Sequence, residues 1–220
     1  MNGTISQTAK VGRVFDLPFS LTEGGSQTRP TKNLRLVGLA VVLILAASAR
    51  GEVQLERTHL PHAHASSFAF GLPGGVNFCY DPVRGGVNYA WTGGFLDLAN
   101  IRPINKLTKA ATPLGPIVYR ETGAAPLRRG DVRRAPVVEF KGYSLRDTTV
   151  ELRYTVDGTL VSETISALPN GAGLRRSFRV DRTGADASWF YAVEGRPAST
   201  LTSTASGVFT LDVPFTPGVP

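Results

Sequence analysis

Hydrophobic and polar residues alternate most regularly in the last third of the chain. From Val150 to Val156 every second residue is apolar, and Glu, Arg and Thr occupy the positions between. Asp157-Gly158 follows, a strong signal for a two-residue hairpin turn, and the chain returns through Thr159–Ile165. Pro169-Asn170-Gly171 makes a further turn into Leu174–Val180, where Leu174, Phe178 and Val180 alternate with Arg175, Ser177 and Arg179. The period of two predicts three antiparallel strands with one buried face.

A second alternating region, residues 70–98, lies in the middle of the chain. Val76–Tyr80 and Val87–Trp91 share the order Val, Asn, aromatic, small, aromatic. The residues between them, 81–86, combine a proline with two glycines, which favours a turn. This arrangement predicts a β-hairpin whose aromatic side chains lie mostly on one face.

Shorter strand-like runs complete the pattern. They are Ile117–Tyr119, Val137–Tyr143, Ser188–Val193 and Val208–Val213. Residues 99–136 otherwise have no clear period and contain five prolines, so we expect a long connection there. About ten short strands with frequent turns predict an all-β fold, an antiparallel, jelly-roll-like β-sandwich over residues 67–214 with a tail at 215–220.

The first 66 residues have a different pattern. Residues 1–31 are polar and predict a disordered extension or a start upstream of the true initiation site. Residues 32–49 combine a basic flank, an apolar run and Ala47-Ser48-Ala49, the three parts of a secretory signal peptide, expected as a helix. An uncleaved membrane anchor over residues 36–49 is the alternative. Residues 50–66 are expected to form a polar linker, and the domain to be periplasmic or extracellular.

Amino-acid composition and net charge limit the classes of function that are expected. Of the 220 residues 42% are hydrophobic and 19% charged, and 24 Gly with 15 Pro favour turns and short strands. The net charge is +7, but residues 1–49 hold five basic and two acidic residues, which leaves +4 for the rest. So small an excess does not indicate nucleic-acid binding. A membrane is expected as a partner only through the uncleaved anchor.

Cys79 is the only cysteine of the chain. It cannot form an internal disulfide, and a covalent haem site or a multi-cysteine zinc site is excluded. Its position between Phe78 and Tyr80 favours a buried, unreactive thiol. Neither a phosphate-binding glycine loop nor a G-x-S-x-G nucleophile motif is present, so no cofactor is predicted from these motifs.

Three histidines, His59, His62 and His64, lie within six residues in the predicted linker. Imidazoles at this spacing are able to share a transition metal, which makes a metal-binding protein one alternative. A solvated polar segment is the simpler interpretation.

Two further groups of side chains suggest binding. Asp81 and Asp97 are the candidate acid and base of a glycosidase, which needs two suitably spaced carboxyl groups. Together with neighbouring amide and aromatic side chains they would instead form a sugar-binding platform, whose candidate residues are Asn77, Asp81, Asn88, Tyr89, Trp91 and Asp97. Aromatics on one face of a hairpin are more simply core.

A cationic loop follows. Arg128, Arg129, Arg133 and Arg134 surround a glycine and an aspartate. Guanidinium groups at this density suit a phosphate, a carboxylate or an acidic partner surface. A solvated loop is the alternative.

Four stretches of the sequence carry a resemblance to other proteins. They are the run GLPGGVNFCYDPVRGGVNYAWTGGFLDL, Pro-Leu-Gly-Pro at 113–116, Pro-Leu-Arg-Arg-Gly-Asp at 126–131 and FKGYSL at 140–145. Over residues 68–180 the chain resembles an uncharacterised β-rich domain of secreted planctomycete and verrucomicrobial proteins. That domain accompanies c-type cytochrome and sugar-dehydrogenase-like modules, although this chain has no haem-attachment motif. The resemblance implies a non-catalytic accessory domain that docks to a cytochrome- or dehydrogenase-type partner. A carbohydrate-binding or carbohydrate-active domain that uses the 77–97 hairpin, with a polysaccharide as partner, is the alternative.

Overall fold

A computed structural model of the chain describes residues 51–99, 101, 110–181, 187–202 and 207–216. The predicted extension at 1–31 and the signal-peptide helix at 32–49 lie outside the described residues. The described part is all-β, as the alternation predicts, and its only helical element is a single 3-10 turn at Pro169–Gly171. None of its helices is long and apolar enough to cross a membrane.

Fifteen strands are described. They are β1 (Gln54–Glu56), β2 (Phe68–Leu72), β3 (Val76–Asp81), β4 (Gly86–Thr92), β5 (Leu96–Asp97), β6 (Thr112–Pro113), β7 (Ile117–Arg120), β8 (Leu127–Arg129), β9 (Val138–Leu145), β10 (Thr149–Val156), β11 (Thr159–Ala167), β12 (Gly173–Val180), β13 (Trp189–Tyr191), β14 (Ser199–Leu201) and β15 (Val208–Pro214).

These strands form two five-stranded sheets and two smaller ones, and every pairing is antiparallel. The first sheet has the order β1-β2-β3-β4-β7, and the second has the order β15-β12-β11-β10-β9. A three-stranded sheet has the order β14-β13-β8, and β5 pairs with β6. Strands β7 and β15 each lie at the end of their sheet, so each has one edge that pairs with no other described strand.

The two five-stranded sheets share one buried apolar cluster. The ring of Phe68 on β2 lies 5.6 Å from that of Phe140 and 5.4 Å from that of Tyr143, both on β9. The inward-facing residues of β10, among them Val150, Leu152 and Tyr154, are fully buried in the same cluster. The alternation in the sequence therefore marks the buried face correctly.

The structure differs from the sequence prediction at two points. It has more strands than the expected ten, because six of them contain only two or three residues and are defined by backbone pairing rather than by alternation. The segment 50–66 was predicted to be a linker, yet β1 pairs with β2 and Leu60 is fully buried. Backbone hydrogen bonding at a sheet edge needs no apolar pattern, so a polar segment is able to provide it.

Gly115 lies where no side chain fits. A Cβ atom at this position would be 1.8 Å from the carbonyl oxygen of Thr92. We expect Gly115→Ala to lower the free energy of unfolding by about 2 kcal/mol, since the backbone of β4 must move. Urea unfolding measures this, with Gly51→Ala as the control because a Cβ there would meet nothing within 4 Å. Equal stability of the two variants would contradict the expectation.

Candidate functional site

Most aromatic and amide side chains of the predicted sugar platform are buried and make hydrogen bonds within the domain. Asn77, Tyr89 and Trp91 are all at least 98% buried. The Asn77 amide donates to the carbonyl oxygens of residues 75, 93 and 94, and the Trp91 indole N–H donates to those of residues 94 and 95. These side chains hold the neighbouring glycine turns in place. None of their rings is available for a sugar to stack on.

The two aspartates and Asn88 have local roles as well. A carboxylate oxygen of Asp81 accepts hydrogen bonds from the backbone N–H groups of Val83 and Arg84, at 2.8 and 3.1 Å. Asp97 accepts one from the N–H of Ala99 at 2.8 Å, and Asn88 accepts one from Arg84 Nε at 3.1 Å. Both carboxylates therefore cap turns, as aspartates commonly do, which speaks against an acid–base pair.

The three histidines are not arranged as a metal site in the described part of the chain. The Nδ1 atom of His64 accepts a hydrogen bond from the N–H of Ser66 at 3.2 Å, and the carbonyl of His59 accepts one from Ala111. Within the described ranges no group of three or more His, Cys, Asp or Glu side chains is arranged to hold a metal ion. His59 and His62 are exposed.

The four arginines of the cationic loop point to separate partners. Arg134 Nη2 lies 2.6 Å from Asp157 Oδ2, and Arg129 Nη1 donates to Thr159 Oγ1 at 2.9 Å. Arg128 donates to the carbonyl of Val132, and the side chain of Arg133 is 91% exposed. The contacts of Arg134 and Arg129 connect the loop to the β10–β11 turn. They do not form the common clamp that the sequence suggested.

Cys79 lies in the core beneath Ser67 and Tyr89. Desolvation by burial raises the pKa of its thiol to about 12. Since only the thiolate is a strong nucleophile, this thiol is unreactive at neutral pH. The prediction of a buried, unreactive cysteine agrees with its position.

A buried charge network is the main feature that sequence reasoning missed. Arg176 on β12 is 1% exposed, and its guanidinium contacts Glu163 on β11 and Glu121, which follows β7. The distances are 2.5 Å from Nε to Glu163 Oε1 and 2.8 Å from Nη1 to Glu121 Oε1. Arg84 Nη2 lies 3.5 Å from the second oxygen of Glu121. Two guanidinium groups thus balance two carboxylates between the two large sheets.

Three tyrosines complete this network. Tyr119 donates to Glu121 at 2.9 Å, Tyr154 donates to Glu163 at 2.8 Å, and the Tyr191 hydroxyl lies against both Glu121 and Arg176. Burial raises the pKa of all three hydroxyls well above the ordinary value. Burial alone would lower the pKa of Arg176, but Glu163, Tyr191 and Glu121 together outweigh this effect and the pKa is raised. Arg176 and the three tyrosine hydroxyls therefore keep their protons near neutral pH.

The alternation in the sequence contained the signal for this network. Glu163 lies between Val161 and Ile165 on the inward face of β11, and Arg176 lies between Leu174 and Phe178 on that of β12. Opposite charges at inward positions of two neighbouring strands predict a buried ion pair, because a lone buried charge is too costly.

A pocket of about 340 Å³ lies beside the network. Its walls come from the edge strands β7 and β15 and from the β13–β14 region, and they include Val118, Tyr119, Tyr191, Ser199 and residues 211–214. We call this the edge pocket. Tyr119 and Tyr191 form its inner wall and separate it from Glu121. Arg196 extends over the Tyr119 ring, with its guanidinium carbon 4.7 Å from the centroid, and donates to the carbonyl of Arg120 at 3.3 Å.

The edge pocket has the size and the lining of a ligand-binding pocket. Ligand pockets typically have volumes of about 300–1,000 Å³ and mainly apolar walls with a few polar groups. Its charged lining residues are Arg196 and Asp212, and Asp212 is held by Arg175 at 2.7 Å. No family model, curated protein or solved structure matches this chain. What the pocket binds must therefore be argued from its own geometry.

Proposed function

We propose that the protein is a secreted, non-catalytic accessory domain that binds an extended segment of a partner protein in the edge pocket. The observation that carries the proposal is the position of the pocket between two unpaired strand edges, β7 and β15. An unpaired edge offers backbone N–H and C=O groups to an incoming extended chain, which is a common way to recognise peptides.

The backbone direction of β15 supports this mode of binding. The N–H of Phe215 donates to the carbonyl of Ala172, so the backbone N–H and C=O groups of Phe215 point toward β12. Those of Val213, two residues earlier, point the same way. The backbone groups of Asp212 and Thr210 must then point away from β12. Pro214 has no N–H to offer on that side, which limits pairing to a short segment. A short extended peptide is therefore the ligand that fits.

The side chains of the pocket indicate what such a peptide carries. Val118, Val193 and Leu211 provide apolar contact, and the rings of Tyr119 and Tyr191 extend it. Arg196 is exposed at the pocket and is without an acidic partner among the described residues. We infer that the peptide carries an apolar side chain followed by an acidic group that pairs with Arg196.

Three further observations support the wider proposal. The tripartite pattern at residues 32–49 favours export. The carboxylates of the buried network and the turn-capping aspartates are held by hydrogen bonds, and the Asp212 carboxylate at the edge pocket is paired with Arg175, which favours a non-catalytic role. The resemblance over residues 68–180 favours a cytochrome- or dehydrogenase-type partner in the periplasm. The apolar cluster shared by the two five-stranded sheets supports a jelly-roll-like sandwich as the finer description of the fold.

Site-specific photo-cross-linking tests the proposal. A photoreactive phenylalanine analogue replaces Ser199, which lines the pocket, in the full chain expressed in its native host. The matched control carries the analogue at Thr200, the next exposed residue of β14, whose side chain points to the opposite face. We expect irradiation to link a single envelope protein to position 199 and at least tenfold less of it to position 200.

Arg196→Glu provides the second control. Added to the Ser199 photoreactive variant, it reverses the charge that we expect to pair with the peptide and should reduce cross-linking at least tenfold. Mass spectrometry should locate the linked position in an extended segment with an acidic residue nearby. Equal linking from both positions, or none from position 199, would contradict binding in the edge pocket.

A further inference from the structure

The outer face of the second sheet differs from an ordinary solvent-exposed sheet. Side chains that point away from the core are mostly serine, threonine and arginine on the central strands β10, β11 and β12. Ser162 and Thr164 on β11, Ser177 on β12 and Thr210 on β15 form a continuous patch of hydroxyl groups. Ser177 Oγ and Thr210 Oγ1 are 3.3 Å apart, so the hydroxyls are close enough to act together.

Differences in side-chain length turn this patch into a depression. The hydroxyl residues are short, whereas Arg146 and Arg179 beside them are long. The result is a polar depression of about 330 Å³ with Ser162, Thr164 and Ser177 among the residues that line it. We call it the hydroxyl groove. It is distinct from the edge pocket and shares no lining residue with it.

The charges around the groove are not balanced. Arg146 lies 3.4 Å from Glu151, and Arg175 lies 2.7 Å from Asp212. Arg153 and Arg179 are exposed, and neither has an ion-pair partner in the described part of the chain. Both lie in one row with Ser162 between them, since Ser162 pairs with Arg153 on one side and with Arg179 on the other. Arg179 lines the groove and Arg153 lies next to it, whereas the Glu151 carboxylate of the groove wall is paired with Arg146.

Two strand spacings separate the backbones of these arginines, a distance of about 10 Å. The row therefore presents two unpaired positive charges on either side of a neutral, hydroxyl-bearing floor. The floor is rigid, because β11 is hydrogen-bonded to a strand on both sides. Because the floor is already rigid, little conformational entropy is lost when a ligand binds to it.

We propose that the hydroxyl groove binds an acidic polysaccharide. The anionic groups of such a chain, carboxylate or sulfate, pair with Arg153 and Arg179, and the hydroxyl groups of the sugars bond to Ser162, Thr164 and Ser177. A nucleic acid fits poorly, since the groove contains no aromatic side chain on which a base would stack.

Titration calorimetry of the full-length chain with three defined polymers tests this. Polygalacturonate supplies carboxylates, dextran sulfate supplies sulfates and unmodified dextran supplies neither. We expect binding of at least one of the two anionic polymers and no measurable heat with dextran. The anionic polymer that binds more tightly identifies the charged group. A single-stranded oligonucleotide that binds as tightly as the better polymer would overturn the proposal.

Two pairs of arginine variants distinguish binding in the groove from general attraction between opposite charges. Arg153→Gln with Arg179→Gln should reduce the affinity for the anionic polymer at least tenfold. The control is Arg133→Gln with Arg134→Gln, which removes the same charge from the loop between β8 and β9 and should change the affinity less than twofold. Ser162→Val should weaken binding, whereas Thr155→Val, outside the groove, should not. Equal loss in both arginine pairs, or no binding of either anionic polymer, would overturn the proposal.

Discussion

Replacing Arg176 with methionine is expected to lower the free energy of unfolding by about 3–5 kcal/mol. The substitution keeps an unbranched side chain of similar length but removes the guanidinium that contacts both Glu163 and Glu121. Glu163 would then be a buried carboxylate with the Tyr154 hydroxyl as its remaining described partner. A buried charge without its counter-ion is among the most costly defects that a core can contain. Urea unfolding followed by tryptophan fluorescence measures the loss.

Arg175→Met is the matched control for this prediction. Arg175 is the preceding residue of the same strand, and it makes a bidentate pair with Asp212 on the exposed face. Exposed ion pairs typically contribute less than about 1 kcal/mol, so this variant should stay close to the parent chain. If Arg176→Met does not fold, the double variant Arg176→Met, Glu163→Met should recover stability, because the bare carboxylate is gone. Similar stability of the two single variants would contradict a stabilising network.

Local structure in the second sheet was predictable from sequence. The Asp157-Gly158 turn joins β10 to β11 with Val156 opposite Thr159, and both turn residues have positive φ, 48° and 80°. These are the angles that a two-residue hairpin requires, and Asp-Gly accepts them readily. The repeated pattern of Val76–Tyr80 and Val87–Trp91 likewise forms two adjacent strands, β3 and β4. Pattern and turn chemistry are sufficient wherever partners are close in the sequence.

Contacts between distant segments were not predictable in this way. The chain around Glu121 has no clear period, yet its carboxylate contacts Arg176, 55 residues later, and Tyr191, 70 residues later. Strand β15 pairs with β12 rather than with β13 or β14, which are nearer in sequence. No local pattern records which sheet edge a later strand will meet. Both the network and the edge pocket arise from such long-range placements.

The candidate site residues show why chemical type alone was a poor guide. Aspartate and asparagine are as useful for capping turns as for catalysis, and Asp81, Asp97 and Asn77 are used for turns. The informative feature was position relative to the sheet. Glu163 and Arg176 face inward, where a charge must be paired, and Arg153 and Arg179 face outward, where an unpaired charge is available to a ligand.

Alkaline unfolding is the second large effect that we expect. Burial raises the pKa of five tyrosines well above 10, and these are Tyr80, Tyr89, Tyr119, Tyr154 and Tyr191. In the unfolded chain these hydroxyls ionise near pH 10, whereas in the folded protein they keep their protons. The unfolded state therefore loses protons first, and stability is complete below pH 10 and falls as the pH rises above it. Each group contributes about 1.4 kcal/mol per pH unit, so five together contribute roughly 7 kcal/mol per pH unit.

A domain with an ordinary stability of about 5–15 kcal/mol would lose most of it within about one to two pH units above pH 10. Urea unfolding at a series of alkaline pH values gives the slope, and the ultraviolet absorbance of tyrosinate shows when the hydroxyls ionise. Tyr80→Phe is the control, because the Tyr80 hydroxyl has no hydrogen-bond partner among the described residues. It should leave the stability at neutral pH nearly unchanged and reduce the alkaline slope by about a fifth. Tyrosinate absorbance that rises fully near pH 10 in the folded protein would show that these hydroxyls are not held by burial.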